Sequence, residues 1–448
     1  MSAQLCDMVI INTCSVRATA ETRIFGRLGF YAGLKKVRNA APDAKTRSME
    51  EAAAYVEKNG PVPLTLVVMG CMAERLLKTL QKDFPVVDYV VGTYAKNKFG
   101  DIISAVEEGK SPVPIEEDPV YTFAPVSYEE GAFSTFVPIM HGCNNFCTYC
   151  IVPYVRGREV SRPVDEILAE LDVLSSRGVK EITLLGQNVN SYRGALSKAG
   201  AASADTINFP QLLQTICAHI EKTASPIRWI RFESSNPKDF SDELIDTIAM
   251  SAKADATSPD ESPKICRGLH IAVQHGSSRI LKLMNRRYTR EAYLELVKKI
   301  REKIPGIQLS TDIMLGFPGE SEEDFEEAYS LMKEVRYESA FMYYFNPREG
   351  TPAAKMDGQI DLETKKERLQ KIIDLQLKIT TDVMQERVGK TITVLADIIS
   401  RDDKTELLGK TEQNERVAFK GKPSLIGHFV KVHLDSLNGN TFRGTLIE

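Results

Sequence analysis

Apolar positions along the chain fall into three successive patterns. From residue 7 to residue 93, three short unbroken apolar runs alternate with stretches of helical spacing: DMVIINTC (7–14), LTLVVMGC (64–71) and VVDYVVGT (86–93), with the first helix pattern starting at Arg17. Unbroken runs of this length predict strands buried on both faces, and strands alternating with helices predict a parallel sheet. Residues 1–105 therefore read as an α/β domain. A segment rich in Pro, Gly and acid, EEGKSPVPIEEDPVYTFAPVSYEEG, marks a linker over 106–132.

The second pattern spans 133–380. Six strand runs, FSTFVPIM (133–140), EITLLGQN (181–188), IRWIRFES (227–234), GLHIAVQ (268–274), IQLSTDIML (307–315) and FMYYFN (341–346), are spaced by helical stretches such as 164–177 and 290–303. Six such units predict a complete or partial (β/α) barrel, whose reactive groups gather at the C-terminal strand ends. Two low-complexity pieces, GALSKAGAASADT (194–206) and SAKADATSPDES (251–262), read as surface insertions. The third pattern, 384–448, consists of about five short strands separated by turn residues, the signature of a small β-barrel. The fold class is thus α/β: a Rossmann-like N-terminal domain, a partial barrel and a small C-terminal barrel of OB-like type.

Composition adds exclusions. The 448 residues are 43% hydrophobic and 26% charged, as in a soluble globular protein. No apolar run reaches the ~18 residues of a membrane span, and the start, MSAQLCDMVIINTC, lacks the features of a signal peptide, so a cytoplasmic protein is expected. A net charge of −4 argues against a strong global field for nucleic acid but allows a local basic patch. Residues 384–448 hold ten Lys and Arg against nine Asp and Glu. Eight cysteines are too few for a disulfide scaffold, and clustered cysteines in a reducing compartment more often bind metal or do chemistry.

Three of the eight fall in HGCNNFCTYC, spaced Cys143-x-x-x-Cys147-x-x-Cys150. Such a loop after a strand admits zinc with His141 as fourth ligand, unliganded core thiols, or an iron–sulfur cubane. Structural zinc sites close with four ligands, yet no Cys-x-x-Cys occurs elsewhere and His141 is only two residues from Cys143. A cubane fits better, because three thiolates leave one iron an open position for substrate.

This spacing resembles the signature of radical S-adenosylmethionine (SAM) enzymes, and Tyr149 before the last cysteine matches their pattern. GCNNFCTYCIVPYVRGREVSRP (142–163), LLGQNVNSY (184–192) and TDIMLGFPGE (311–320) resemble the methylthiotransferase family, specifically its tRNA-modifying MiaB branch. The resemblance implies a radical SAM barrel and a C-terminal TRAM domain used for RNA. It also implies two 4Fe-4S clusters, SAM as cofactor, and transfer of a methylthio group to C2 of an N6-isopentenyl-type adenosine beside the anticodon. tRNA, a flavodoxin- or ferredoxin-type electron donor and a sulfur source are the implied partners, and a monomer is expected.

Cys14 in NTCSVR and Cys71 in MGCMAER match two of the family's three auxiliary-cluster cysteines, both at C-terminal ends of predicted strands. The third lies, in the family, a few tens of residues upstream of Cys14 in a Gly-Cys-Gln-Met-Asn-like segment. This chain starts 13 residues before Cys14, so a missing first βα segment is expected. Cys6 does not replace it, since eight extended residues at roughly 3.3 Å each put it about 26 Å from Cys14. Cys6, Cys217 and Cys266 are expected to be structural.

Arg156, Arg158 and Arg162, just past the cluster loop, are candidates for phosphate or cofactor binding, because the guanidinium fork fits phosphate. Gln187, Ser234, Gln274, Asp312 and the Gly319–Glu320 pair sit near predicted strand ends and are SAM-binding candidates. His275 reads as a local variation. On the small barrel Phe419, Phe429, Phe442, Lys420, Lys422, Lys431 and Arg443 are RNA candidates, with at least two of the aromatics expected in the barrel core. The competing readings are a methylthiotransferase acting on a ribosomal-protein aspartate, and a non-catalytic RNA-binding protein with a structural metal.

Overall fold

The computed structural model describes residues 4–15, 18–39, 49–60, 63–110, 112–115, 121–123, 129–197, 205–252 and 264–447. Strands Met8–Thr13, Thr65–Gly70 and Tyr89–Val91 form a parallel sheet in that order. Neighbouring residues on the central strand explain its unbroken apolar run. Leu66 and Val68 pack with Leu28 and Leu34 of helix Ala18–Asn39, whereas Val67 packs with Val91 and Ile102 of helix Phe99–Glu107 on the other face.

The barrel strands are Ser134–Pro138, Glu181–Leu185, Trp229–Phe232, Gly268–His270, Gln308–Leu315 and Ser339–Tyr344; the first five lie inside their predicted runs, and the sixth starts two residues before the predicted 341–346. All are parallel. The first three, with the short strand Lys264–Ile265, form one sheet and the last three another; a single bridge, Ser235 to Ile271, joins them. The barrel stays open between its first and last strands. Strand Gln308–Leu315 shows the alternation that aims the chemistry: Leu309, Thr311, Ile313 and Leu315 are buried beneath the helices, and Gln308, Ser310, Asp312 and Met314 face the lumen. Of the two low-complexity pieces, 198–204 and 253–262 lie outside the described residues. The ends of the first piece pair as strands Arg193–Ala195 and Thr206–Asn208.

Five strands, Thr391–Ile399, Glu406–Thr411, Arg416–Lys420, Phe429–Asn438 and Thr441–Ile447, close the predicted C-terminal barrel. Phe419 and Phe442 fill its core, as expected for two of the aromatics; Phe429 instead meets Trp229 of the large barrel, ring centres 4.8 Å apart. The turn 411–416 plugs the N-terminal mouth of the large barrel. There Arg231 donates to Glu181 Oε2 at 3.0 Å and, through its two Nη atoms, to the carbonyls of Glu412 at 2.7 Å and Thr411 at 2.8 Å. Gly268 allows the approach, because a Cβ there would lie 2.9 Å from the Gln413 carbonyl oxygen.

Glu338, just before the last large-barrel strand, is buried in this junction near Glu415 and Arg387. Burial first, then the Glu415 carboxylate, push its pKa from 4.5 up to about 9. A raised folded-state pKa stabilises the fold fully below the unfolded value, and that contribution is lost as pH rises through the folded value. Melting temperature is therefore expected to fall between pH 4.5 and about 9. Glu338→Gln should flatten that slope; an unchanged slope in a pH series of thermal melts would show that Glu338 is not its source.

A thiol-lined cavity as the candidate functional site

The loop carrying Cys143, Cys147 and Cys150 is wound by local geometry. Gly142 has φ +78°, and any side chain there would collide with the Arg158 carbonyl. The Cys143 N–H donates to the Gly157 carbonyl at 3.1 Å, and Phe146 takes φ +48° with the Arg158 guanidinium 4.5 Å above its ring. Asn285 Nδ2 donates to the carbonyls of Phe146 at 2.9 Å and Asn145 at 3.2 Å, fixing the loop from the barrel side. Buried Arg286 reaches Cys147 Sγ at 3.5 Å. Burial first, with added repulsion from Cys147 and Cys143, pushes the Cys150 thiol up to about 12.

These three thiols open onto a cavity of about 770 Å³, and so do Cys14 and Cys71 of the N-terminal domain. Cys14 directly follows its strand, and Cys71 starts the short helix Cys71–Arg75. Thr13 Oγ1 locks the two chain segments together, donating to the Met69 carbonyl at 2.6 Å and accepting from the Ala73 N–H at 3.3 Å. Arg156 Nε donates to Cys71 Sγ at 3.2 Å, tying the two thiol groups across the domain boundary.

The barrel wall of the cavity carries four of the strand-end SAM-binding candidates, Gln187, Ser234, Gln274 and Asp312, with Tyr149; the Gly319–Glu320 pair does not line it. Ser234 and Gln274 have φ of +70° and +73°, in the left-handed region uncommon for non-glycine residues. Gln274 Nε2 donates to Asp312 Oδ2 at 3.2 Å, while among the described residues the buried Gln187 Oε1 has no hydrogen-bond partner. Sequence reasoning missed Glu233, His270, Arg286, Phe341 and Tyr343 in this wall. Period two, counted back four residues from Gln274, places His270 on the same face. His270 lies 3.4 Å from Asp312 and 3.1 Å from Ser310. Burial opposes charging its ring, but Asp312 and Glu233 outweigh burial and raise its pKa.

Other candidates lie elsewhere. Arg162 is only 5% exposed and is held by Glu170, Glu166 and the Pro138 carbonyl, so it is a structural cation and not a substrate contact. His141 lies outside the cavity lining, its ring flat against Tyr121 at 3.6 Å and 5°. Burial, then Arg156 and Lys96, lower its pKa to about 3. His275 is fixed by the Ser277 N–H at 2.9 Å and by Glu320, which in turn accepts from Arg368, so the Gly319–Glu320 pair belongs to the packing. Lys420 and Arg158 are exposed and Lys431 is half-buried; none lines the cavity. Cys266 is buried and Cys217 packs on the core, as expected.

The donor set suits an iron–sulfur cluster. Soft thiolates select such centres, and crowding three of them in a buried site needs a cation to offset their repulsion. Among the described residues no three His, Cys, Asp or Glu side chains close on a single ion; the thiols are spread around a cavity.

Residues 137–332 match the Radical SAM superfamily, 1–92 the Uncharacterized protein family UPF0004, and 385–447 the TRAM domain. The tRNA-2-methylthio-N(6)-dimethylallyladenosine synthase of Treponema denticola is 48% identical over 457 residues, covering 99% of this chain and 92% of that one. Its namesake from Phocaeicola vulgatus is 42% identical, covering 98% and 87%. The chain belongs to the tRNA-2-methylthio-N(6)-dimethylallyladenosine synthase family. Membership of this synthase family makes it a radical SAM transferase, and implies a 4Fe-4S cluster and SAM. The ribosomal-protein alternative is not favoured. The radical SAM methyltransferase TsrM of Kitasatospora setae shares the fold, with TM-score 0.52 at 16% identity over 78% of this chain and 64% of that one. Among the described residues no helix is long and apolar enough to cross a membrane.

Proposed function

We propose that the chain transfers a methylthio group to C2 of an N6-isopentenyl-type adenosine next to the anticodon of tRNA, using two molecules of SAM. The observation that carries this reading is the convergence of thiols from two domains, Cys143, Cys147 and Cys150 with Cys14 and Cys71, on one cavity. In this reading the first three hold the radical SAM cluster, and Cys14 and Cys71 contribute ligands to a second 4Fe-4S cluster that handles sulfur. When bound, the first cluster and SAM supply an electron and a 5′-deoxyadenosyl radical.

The chain's own residues do the rest. Tyr149, Gln187, Ser234, Gln274 and Asp312 bind and orient SAM against the thiol loop. Arg156 holds Cys71 toward that loop. Arg158, Lys420 and Lys431 face the RNA. A flavodoxin or ferredoxin supplies electrons, a separate donor supplies sulfur, and the enzyme works as a cytoplasmic monomer.

Nucleoside mass spectrometry tests the reaction. In a strain lacking its own methylthiotransferase, expression of this chain should convert isopentenyl-adenosine in tRNA to the 2-methylthio form. Accumulation of unmodified isopentenyl-adenosine despite reconstituted clusters and SAM cleavage would sink the substrate assignment.

A further inference from the structure

Buried positive charge in this chain is paired, with one exception. Six arginines are buried among the described residues: Arg38, Arg162, Arg231, Arg286, Arg368 and Arg387. Five of them meet a carboxylate: Arg38 meets Asp7, Arg162 Glu170, Arg231 Glu181, Arg368 Glu320 and Arg387 Glu415. Among the described residues Arg286 meets none. A guanidinium keeps its proton, and burying it without an anion is strongly unfavourable.

Neutral groups clamp Arg286 instead. Its Nε donates to Tyr288 Oη at 2.8 Å, and Nη2 donates to the Ala272 carbonyl. Tyr288 Oη in turn donates to the Val273 carbonyl at 2.8 Å, and the guanidinium carbon lies 5.3 Å from the centre of the Tyr288 ring. Burial pushes the Tyr288 phenol up to about 12, so it stays neutral. The clamp fixes the planar fork against the barrel wall and leaves Nη1 directed at Cys147 Sγ, 3.5 Å away. Arg286 lines the cavity together with Cys143, Cys147 and Cys150. Of the groups it touches, Cys147 is the one that becomes anionic when it ligates a metal.

We infer that Arg286 supplies the counter-charge of the radical SAM cluster and, by an N–H···S hydrogen bond to the Cys147 thiolate, makes that cluster easier to reduce. The inference rests on the reading that Cys143, Cys147 and Cys150 hold this cluster. A cubane on three thiolates is net negative, and reduction makes it one unit more so. A fixed cation therefore stabilises the reduced state more than the oxidised one. Net charge and hydrogen bonds to the sulfurs are two of the means by which a protein sets such a potential. Arg286 is a positioning residue, since it acts through Cys147.

The test is a redox titration of the reconstituted enzyme, full chain. It follows the electron paramagnetic resonance signal that changes when SAM is added, because that signal reports the radical SAM cluster. Arg286→Gln should keep its iron but reduce less readily. At a fixed solution potential its ratio of reduced to oxidised cluster should fall about tenfold, the scale of one charged hydrogen bond, or about 59 mV for one electron. Arg286→Lys keeps the charge without the fork and should lie between. Asn285→Gly removes the neighbouring hydrogen bonds to the cluster loop, suits the left-handed backbone there and changes no charge. It should titrate like wild type, whereas a merely structural role for this segment would move the Asn285 and Arg286 variants alike. An iron-replete Arg286→Gln enzyme with the wild-type potential overturns the inference. So does weaker SAM binding at unchanged potential, which would make Arg286 a cofactor contact. Loss of the cluster from both Arg286 variants overturns it too, because Arg286 would then serve assembly. If the wild-type enzyme shows no SAM-sensitive signal, the assignment of the three cysteines fails instead.

Discussion

Cys147→Ala is expected to abolish methylthiolation while leaving the chain folded. Cys147 is buried at the centre of its loop, with Cys143 and Cys150 on either side and the Arg286 guanidinium 3.5 Å from its sulfur. Removing it leaves two thiols where the cluster needs three, and places a buried cation opposite no sulfur. Losing a residue that only supports a metal ligand costs about 10- to 100-fold, so losing a ligand itself should exceed 100-fold. Iron content should drop by about one cluster per chain, and 5′-deoxyadenosine formation from SAM should cease. The loop's other supports, the Gly157 and Asn285 hydrogen bonds, do not involve the thiol, so melting should change little. Cys217→Ala, on a helix remote from the cavity, is the matched control and should keep its iron. A Cys147→Ala enzyme that retains its iron and cleaves SAM would remove this cysteine from the ligand set.

Arg231→Ala is expected to be the most destabilising single change at the domain junction. Arg231 and Glu181 are both buried, and the guanidinium satisfies Glu181 together with two carbonyls of the plugging turn. Breaking a buried pair by removing one partner costs about 3–5 kcal/mol, mostly because the remaining charge is left uncompensated. Ser134 Oγ, 2.8 Å from the other Glu181 oxygen, cannot replace a cation. Denaturant unfolding should show a loss of this size. Adding Glu181→Gln should recover part of it, since the orphaned charge disappears. If the double variant is as unstable as the sum of the two single ones, the pair is not the unit that matters.

Much of this molecule was legible in the chain because its strands announce themselves. Strands covered on both faces gave unbroken apolar runs, and each of the six predicted barrel runs contains or overlaps a strand. The misjudged ends have local causes. The run GLHIAVQ stops being a strand at His270, with only single bridges at Ile271 and Gln274, because the chain leaves the extended region and Gln274 reaches φ +73°. VVDYVVGT shortens to Tyr89–Val91 because Val87 closes a turn on the Phe84 carbonyl. The site was legible wherever chemistry is concentrated in sequence, at the cysteines and the strand-end polar residues. It was illegible where a role depends on partners distant in sequence. Arg162 resembles its neighbours Arg156 and Arg158 until Glu166 and Glu170, one and two helical turns on, are seen to bury it. Phe341 looks like core until the open side of the barrel leaves it half bare.

The plugged mouth has a consequence for how the small C-terminal barrel can be studied. Its five strands close on themselves, which invites treating it as a cassette to be cut off or exchanged. Excision after Gln385 would uncover Trp229 and Cys266, now covered by Leu395 and Phe429, and leave Arg231 facing solvent without its two carbonyls. A truncated enzyme would then fail through exposed core whether or not the removed part ever touched RNA. Chimeras between relatives should keep residues 411–416 together with Arg231, Arg267 and Gly268, because these form one lock across the seam. The two parts are separate folds but a single mechanical object.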